Sequence, residues 1–247
     1  MNKFKEQIGL GQAKTRTLAV ALCMLLALVF SVLAISACSS GGSGSSSSAA
    51  SSPQDLILED SGYYTTDSKY TSTSYVKYAV KIKNPNSNYK AIFPKVKVVG
   101  KDASGNIIFS DDWVLSTINP EETQWAASQA GNGVKPATVE FSVSVDSSNW
   151  KKSDEKYENP YTISNLNTVA NPYFGSSITG QLTKNKDDDC KQVKLTAVFK
   201  DANGKCVGGY STYVDSPATG TPTAFEIKVL DNSATYASYE VYANSWY

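Results

Sequence analysis

Val96-Lys97-Val98-Val99-Gly100-Lys101-Asp102-Ala103-Ser104-Gly105-Asn106-Ile107 returns 99 residues later as Leu195-Thr196-Ala197-Val198-Phe199-Lys200-Asp201-Ala202-Asn203-Gly204-Lys205-Cys206. Similarity at a fixed spacing marks a repeated structural unit. Each copy is an apolar run that ends in Asp-Ala-Ser/Asn-Gly. The Asp side chain accepts a hydrogen bond from the backbone two residues on, and Gly takes the left-handed conformation that closes a type I turn with a bulge. Both copies therefore predict a β-hairpin, and Asp102, Gly105, Asp201 and Gly204 are read as turn residues. Calcium ligation there lacks the spaced oxygen ligands of a dedicated loop.

Flanking segments repeat in nearly the same register. Val80-Lys81-Ile82-Lys83-Asn84 answers Gly180-Gln181-Leu182-Thr183-Lys184, and Phe141-Ser142-Val143 answers Tyr239-Glu240-Val241. Val76, Tyr78, Val80 and Ile82 alternate with Lys77, Ala79, Lys81 and Lys83, the period-2 pattern of a half-buried strand with a charged, solvated outer face. No segment after residue 54 sustains a helical apolar period over two turns. The chain is thus predicted to be all-β, with two tandem immunoglobulin-like β-sandwich domains over residues 54–152 and 153–247, a size at which such a sandwich closes.

The same residues resemble the FxLYD domains, small extracellular immunoglobulin-like modules of bacterial lipoproteins. The likeness covers both repeats through an aliphatic strand, an Asp-x-x-Gly turn, and a late Pro-containing turn ahead of an aromatic strand. That last feature reads Asn119-Pro120-Glu121-Glu122-Thr123-Gln124-Trp125 and then Pro217 to Phe225. The naming string is changed to Val98-Val99-Gly100-Lys101-Asp102 and Ala197-Val198-Phe199-Lys200-Asp201, which keeps the aspartate and loses the tyrosine. The resemblance implies a fold and no particular reaction.

Upstream, Ile35-Ser36-Ala37-Cys38 resembles the lipobox of bacterial lipoprotein signal peptides, in which the cysteine is acylated and becomes the new N-terminus. Lys3, Lys5, Lys14 and Arg16 form a basic n-region, and Leu18 to Ile35 carries no charge. That run could span ~30 Å of hydrocarbon, but a cysteine after Ser36-Ala37 serves cleavage and lipidation and has no task in a spanning helix. Residues 1–37 are read as a signal peptide and residues 38–53 as lipidated Cys38 with a flexible linker. Ser39 to Ser52 contains only Ser, Gly and Ala, a composition with nothing apolar to bury. The expected location is the extracytoplasmic face of a bacterial cell membrane, Gram-positive by the Ser/Gly richness, and the expected state is a monomer.

Processing removes four cations and one anion from 23 of each, leaving 19 against 22. That balance gives no reason to propose nucleic acid, which needs a basic patch. The chain has no histidine, so it lacks the usual general base near neutral pH and the commonest metal ligand. Asp111-Asp112, Glu121-Glu122 and Asp187-Asp188-Asp189 are the acidic runs, but adjacent strand residues point to opposite faces and a triple Asp between strands reads as a solvated loop. No Gly-x-Ser-x-Gly elbow or phosphate-cradling loop occurs. No catalytic residue, metal site or cofactor is assigned.

Cys190 and Cys206 lie in an oxidising compartment, but with a turn at Ala202-Asn203 the second cysteine would pair opposite Phe199, far along the strand from Cys190. Free thiols are predicted. The 15 Tyr and four Trp are read mainly as core and cross-strand pairs. Tyr63, Tyr64, Trp150, Trp246 and Tyr247 are the candidates for exposed sugar-stacking rings, and Lys77, Lys81, Lys83, Lys95 and Lys97 for outward-facing rows. The functional expectation is a non-catalytic binding module at the cell surface, with a protein or cell-wall polymer as partner. The alternative is a small-ligand or metal-binding lipoprotein for uptake or sensing, which a cleft of converging polar groups between the domains would favour.

Overall fold

The computed structural model describes residues 52–68, 71–171, 175–231 and 234–247. The segment read as a signal peptide, Cys38 and nearly all of the Ser/Gly stretch lie outside the described residues.

The first half contains β1 (Ile57–Asp67), β2 (Ser74–Lys83), β3 (Tyr89–Ile92), β4 (Lys95–Lys101), β5 (Ile107–Val114), β6 (Thr117–Ile118), β7 (Thr123–Gly133), β8 (Thr138–Ser144) and β9 (Trp150–Lys152). The second contains β10 (Tyr161–Asn171), β11 (Gly175–Lys184), β12 (Gln192–Lys200), β13 (Cys206–Asp215), β14 (Thr223–Val229) and β15 (Ser238–Trp246). The helical content among the described residues is one 3₁₀ turn, Ser147–Asn149.

In the first half, the antiparallel sheet β1-β2-β7 faces the sheet β5-β4-β8. The latter continues past a bend as β6-β3-β9. Pro94 has no N–H for the ladder, and the chain turns there with Phe93 at φ 52°. Phe93 N–H donates to the Ser116 carbonyl at 2.7 Å, and Leu115 N–H to the Pro94 carbonyl at 2.8 Å. In the second half, β10-β11-β14 faces β13-β12-β15. Both halves place their first, second and fifth long strands in one sheet and the third, fourth and sixth in the other, an immunoglobulin-type crossing pattern. The fold is all-β with two such sandwiches, as expected.

Each sandwich has its own core. Val76, Tyr78, Val80 and Ile82 of β2 pack against Val96 and Val98 of β4 in the first. Ile178 and Leu182 of β11 pack against Leu195, Ala197 and Phe199 of β12 in the second. The repeated turns form as their chemistry requires. Asp102 Oδ1 accepts from Ser104 N–H at 2.9 Å and Asn106 N–H at 2.8 Å. Asp201 Oδ1 accepts from Asn203 N–H at 2.8 Å and Lys205 N–H at 3.0 Å. Gly105 and Gly204 sit at φ 85° and 79°, and the ladder shifts register just before each turn. Both hairpins have the same register, and the bulge corrects the expected pairing of the second, placing Cys206 opposite Lys200 and not Phe199.

The two halves do not hang as separate beads. Residues 51–247 form one compact unit, and the outer face of β1-β2-β7 lies on the outer face of β13-β12-β15. Ala79, Trp125 and Ala127 meet Val198 and Cys206, all less than 5% exposed, with Tyr242 packed beside them. This corrects the reading of β2 as a strand with a solvated charged face. Ala79 is fully buried at the seam, and Lys77, Lys81 and Lys83 are half-buried. Only Lys97 of the five lysines is exposed, on the far sheet.

Candidate functional site

Where the halves separate beyond the apolar seam they leave a cleft of about 310 Å³. Lys77 of β2, Trp113 of β5, and Ser128 and Gln129 of β7 form one wall, while Tyr210, Ser211 and Tyr213 of β13 form the other. Small residues set the approach at the base: the Ala127 and Ala79 methyls lie where a Cβ on Gly209 would be 3.1 and 3.2 Å away. The site is therefore composite. Neither sandwich alone supplies both walls.

At one end of the cleft Lys77 is held over the Tyr210 ring, its ammonium 4.5 Å from the centroid. The Tyr210 hydroxyl donates to Asp231 Oδ2, as does the Tyr64 hydroxyl at 3.2 Å, so a residue of β1 latches onto the second half. Burial pushes the Lys77 pKa down, partly opposed by the Asp231 charge. Burial raises both phenols well above their ordinary value, so they remain neutral hydrogen-bond donors.

Behind the other end stands Lys194, which pairs across the sheet with Tyr213 on one side and Asn244 on the other. Lys194 is 1% exposed, and its ammonium makes no hydrogen bond. It lies 5.2 Å from the Trp113 centroid and 5.3 Å from that of Trp246. Burial lowers its pKa to about 8, with the Glu122 charge opposing the shift. Glu122 is itself buried, and desolvation raises its pKa. Its carboxylate accepts from Asn119 N–H and Nδ2 at 2.8 Å each and from Asn244 Nδ2 at 3.1 Å. Asn244 Oδ1 is buried without a partner. Buried polar groups are rarely left unpaired, yet Lys194 Nζ, Asn244 Oδ1 and the Tyr157 hydroxyl beside Glu122 are, and none of the three lines the cleft.

The five rings expected to be exposed fare differently. Tyr63 is half-buried with its centroid 6.3 Å from that of Phe141, and Trp150 packs against the first core. Tyr64 belongs to the latch. Trp246 is half-buried, edge-on to Tyr213 at 5.0 Å. Only Tyr247 is well exposed, at 62%, with its N–H bound to Ser116 Oγ at 3.0 Å. Trp113, Tyr213 and Lys194 escaped the sequence reading because alternation assigns them to the core or to a solvated face.

The acidic runs do not converge on a catalytic pair. Asp111 accepts from Gly131 N–H at 2.7 Å. Asp188 departs from the expected solvated loop, since its carboxylate pairs with the Lys184 ammonium at 2.7 Å and accepts from Ser245 Oγ at 3.2 Å. Among the described residues no group of three or more His, Cys, Asp or Glu side chains is arranged to hold a metal. Cys190 and Cys206 are both free and buried. They lie near opposite ends of β12, Cys190 Sγ donating to the Gln192 carbonyl and Cys206 Sγ directed to the Ala79 carbonyl across the seam.

No family model matches the chain, and no curated protein matches it. A solved structure similar to part of it is the N-terminal CBM22-1-CBM22-2 tandem domain from Paenibacillus barcinonensis Xyn10C, at 10% identity. The match covers 81% of this chain and 93% of that one with a TM-score of 0.16, too low to carry an argument about fold or function.

Proposed function

We propose that the chain is a lipoprotein, held by acylated Cys38 at the extracytoplasmic face of a bacterial cell membrane, whose paired sandwiches act as a non-catalytic binding module. We also place the two halves with the FxLYD modules, on the strength of the repeated Asp-x-x-Gly turn. The binding site in this reading is the cleft between the sandwiches, a feature expected of the small-ligand alternative, so the reading joins a surface binding module to a ligand-sized site. The observation that carries it is the composite wall: aromatic rings, an amide and hydroxyls from two separate repeats converge on one concavity, with a buried, unpaired ammonium behind it. Concave sites of that make-up, at domain junctions, are where ligands bind. The buried apolar seam argues against a clam-like hinge, so the site is preformed.

Two measurements test this. Full-length protein made in a Gram-positive host should incorporate labelled palmitate, and Cys38→Ala should leave an unprocessed precursor; a Cys38→Ala protein that is cleaved and partitions into detergent normally would overturn the anchor. A photo-crosslinking residue at Ser211, in the cleft, should trap wall or extracellular material on intact cells. Trapping from the exposed edge position Thr138 but not from Ser211 would move the site out of the cleft.

A further inference from the structure

The charge on the cleft walls is of one sign. Among the described residues they hold one charged side chain, the Lys77 ammonium, and no carboxylate. Lys194 adds a second cation, buried and without an acceptor. A desolvated charge projects its field farther than a hydrated one, because little high-dielectric solvent screens it. The nearest carboxylates stand behind the walls and not in them, where the Asp231 charge acts on Lys77 and the Glu122 charge on Lys194 and each offsets part of this potential. Glu122 is bound by Asn119 and Asn244 and lines none of the cleft. Asp231 is bound by the Tyr64 and Tyr210 hydroxyls. With 19 cations against 22 anions, the processed chain is acidic overall, so a cationic concavity stands out from it.

The uncharged groups narrow the ligand further. Trp113 and Tyr213 offer ring surface of the kind that stacks on the C–H face of a pyranose, and Ser128, Gln129 and Ser211 offer donors and acceptors to hydroxyls. A cationic ligand would be repelled by Lys77. A nucleic acid backbone needs more cations than two to neutralise its phosphates.

We infer that the cleft takes a saccharide bearing an anionic substituent, a carboxylate or a phosphate ester, with its ring against Trp113 and Tyr213 and its anion drawn toward Lys77 and Lys194. This rests on the reading of the cleft as the binding site. The roles divide accordingly. Trp113 supplies stacking that is indifferent to charge, while Lys194 acts through its field and selects the anion.

The test is calorimetric titration and tryptophan fluorescence of the purified full-length protein with three probes: oligogalacturonate, a glycerol-phosphate polymer carrying glucose, and a neutral gluco-oligosaccharide. One anionic probe should bind at least about tenfold more tightly than the neutral one, and raising salt from about 0.05 to 0.5 M should weaken it. Which anionic probe binds decides between carboxylate and phosphate ester. Lys194→Met should cost the anionic probe about tenfold and leave the neutral one unchanged. Lys77→Gln gives an independent reading should the first variant repack. Trp113→Ala should weaken every probe. Equal affinity for neutral and anionic probes, or anionic binding that Lys194→Met and Lys77→Gln leave untouched, overturns the inference while loss of binding in Trp113→Ala keeps the cleft. Binding that survives Trp113→Ala and Tyr213→Ala overturns the cleft itself, and no binding of any probe overturns the saccharide.

Discussion

The Lys194 ammonium lies 5.2 Å from the centroid of the Trp113 ring, and the two residues belong to different sandwiches. The contact joins β12 of the second half to β5 of the first behind the cleft wall. It is also an expensive way to hold two sheets together, since a buried ammonium gives up its hydration and recovers only part of it from two indole faces.

That cost is measurable. The Lys194 pKa falls from an ordinary 10.5 to about 8 on folding, chiefly by desolvation. Below about pH 8 both native and unfolded chains carry the proton, and the penalty is present in full. From about pH 8 to 10.5 the native lysine is neutral while the unfolded one is charged, so stability rises with pH; conversely it is lost as pH falls through the folded pKa. Lys194→Met should therefore stabilise the protein at pH 7 by roughly 1–3 kcal/mol after the lost cation–π contacts are deducted. The gain should shrink as pH climbs from 8 toward 10.5. Urea unfolding across that range checks it, and a Met variant less stable than wild type at pH 7 would contradict the account.

The seam makes a sharper demand at Gly62 of β1. A Cβ there would lie 2.1 Å from the Cys206 carbonyl oxygen of β13, which is backbone and has no rotamer to swing away. Gly62→Ala should cost roughly 1–3 kcal/mol, as overpacking of a close contact does. It should also open the seam, so that Trp125, now 4% exposed, shifts its emission to longer wavelength. Gly105→Ala is the control: nothing lies within 4 Å of its added methyl and its φ is +85°, so it should cost turn strain and leave Trp125 emission unchanged.

Strand patterning alone shows both sandwiches and the repeated turns, because those features are local. Asp102 and Gly105 need only their own neighbours to form a turn, and Val76, Tyr78, Val80 and Ile82 need only alternate. The seam depends on a second surface elsewhere in the chain. Ala79 stands between Lys77 and Lys81 on the face that alternation assigns to water, and nothing in that stretch reveals what covers it. A weak signal did exist. Ala79, Ala127 and Gly209 occupy outward strand positions with residue types that exposed strands disfavour, and together they mark a close approach. Lys194 was harder to read, since a lysine opposite Leu195 on a strand is the ordinary pattern of a half-buried sheet.

The buried thiols offer a chemical probe of the same seam. Burial pushes the Cys206 pKa up to about 11, so its thiolate is scarce at neutral pH, and thiolate is the reactive species. Iodoacetamide applied to the native processed protein should leave Cys190 and Cys206 unmodified, while denaturation should yield two adducts by mass. Gly62→Ala should accelerate native labelling of Cys206 in particular. A denatured protein that accepts no adduct and weighs two hydrogens less would mean that a disulfide is present.

For the sandwiches taken apart, the geometry gives opposing expectations for folding and for solubility. Backbone pairing between strands stays within residues 57–152 and 161–246, and each half owns a core, so residues 54–152 and 153–247 should each fold when expressed alone. Each would then expose its side of the seam: Ala79, Trp125 and Ala127 on one, Val198, Cys206 and Tyr242 on the other. Exposed apolar patches promote association. The separate halves should therefore show well-dispersed amide spectra, self-associate more than the intact chain, and bind each other when mixed. That complex should also recover whatever ligand affinity the cleft has, because Trp113 and Tyr213 enter the site from different halves. Halves that remain unfolded alone but fold on mixing would show that the seam, and not the repeat, is the unit of folding.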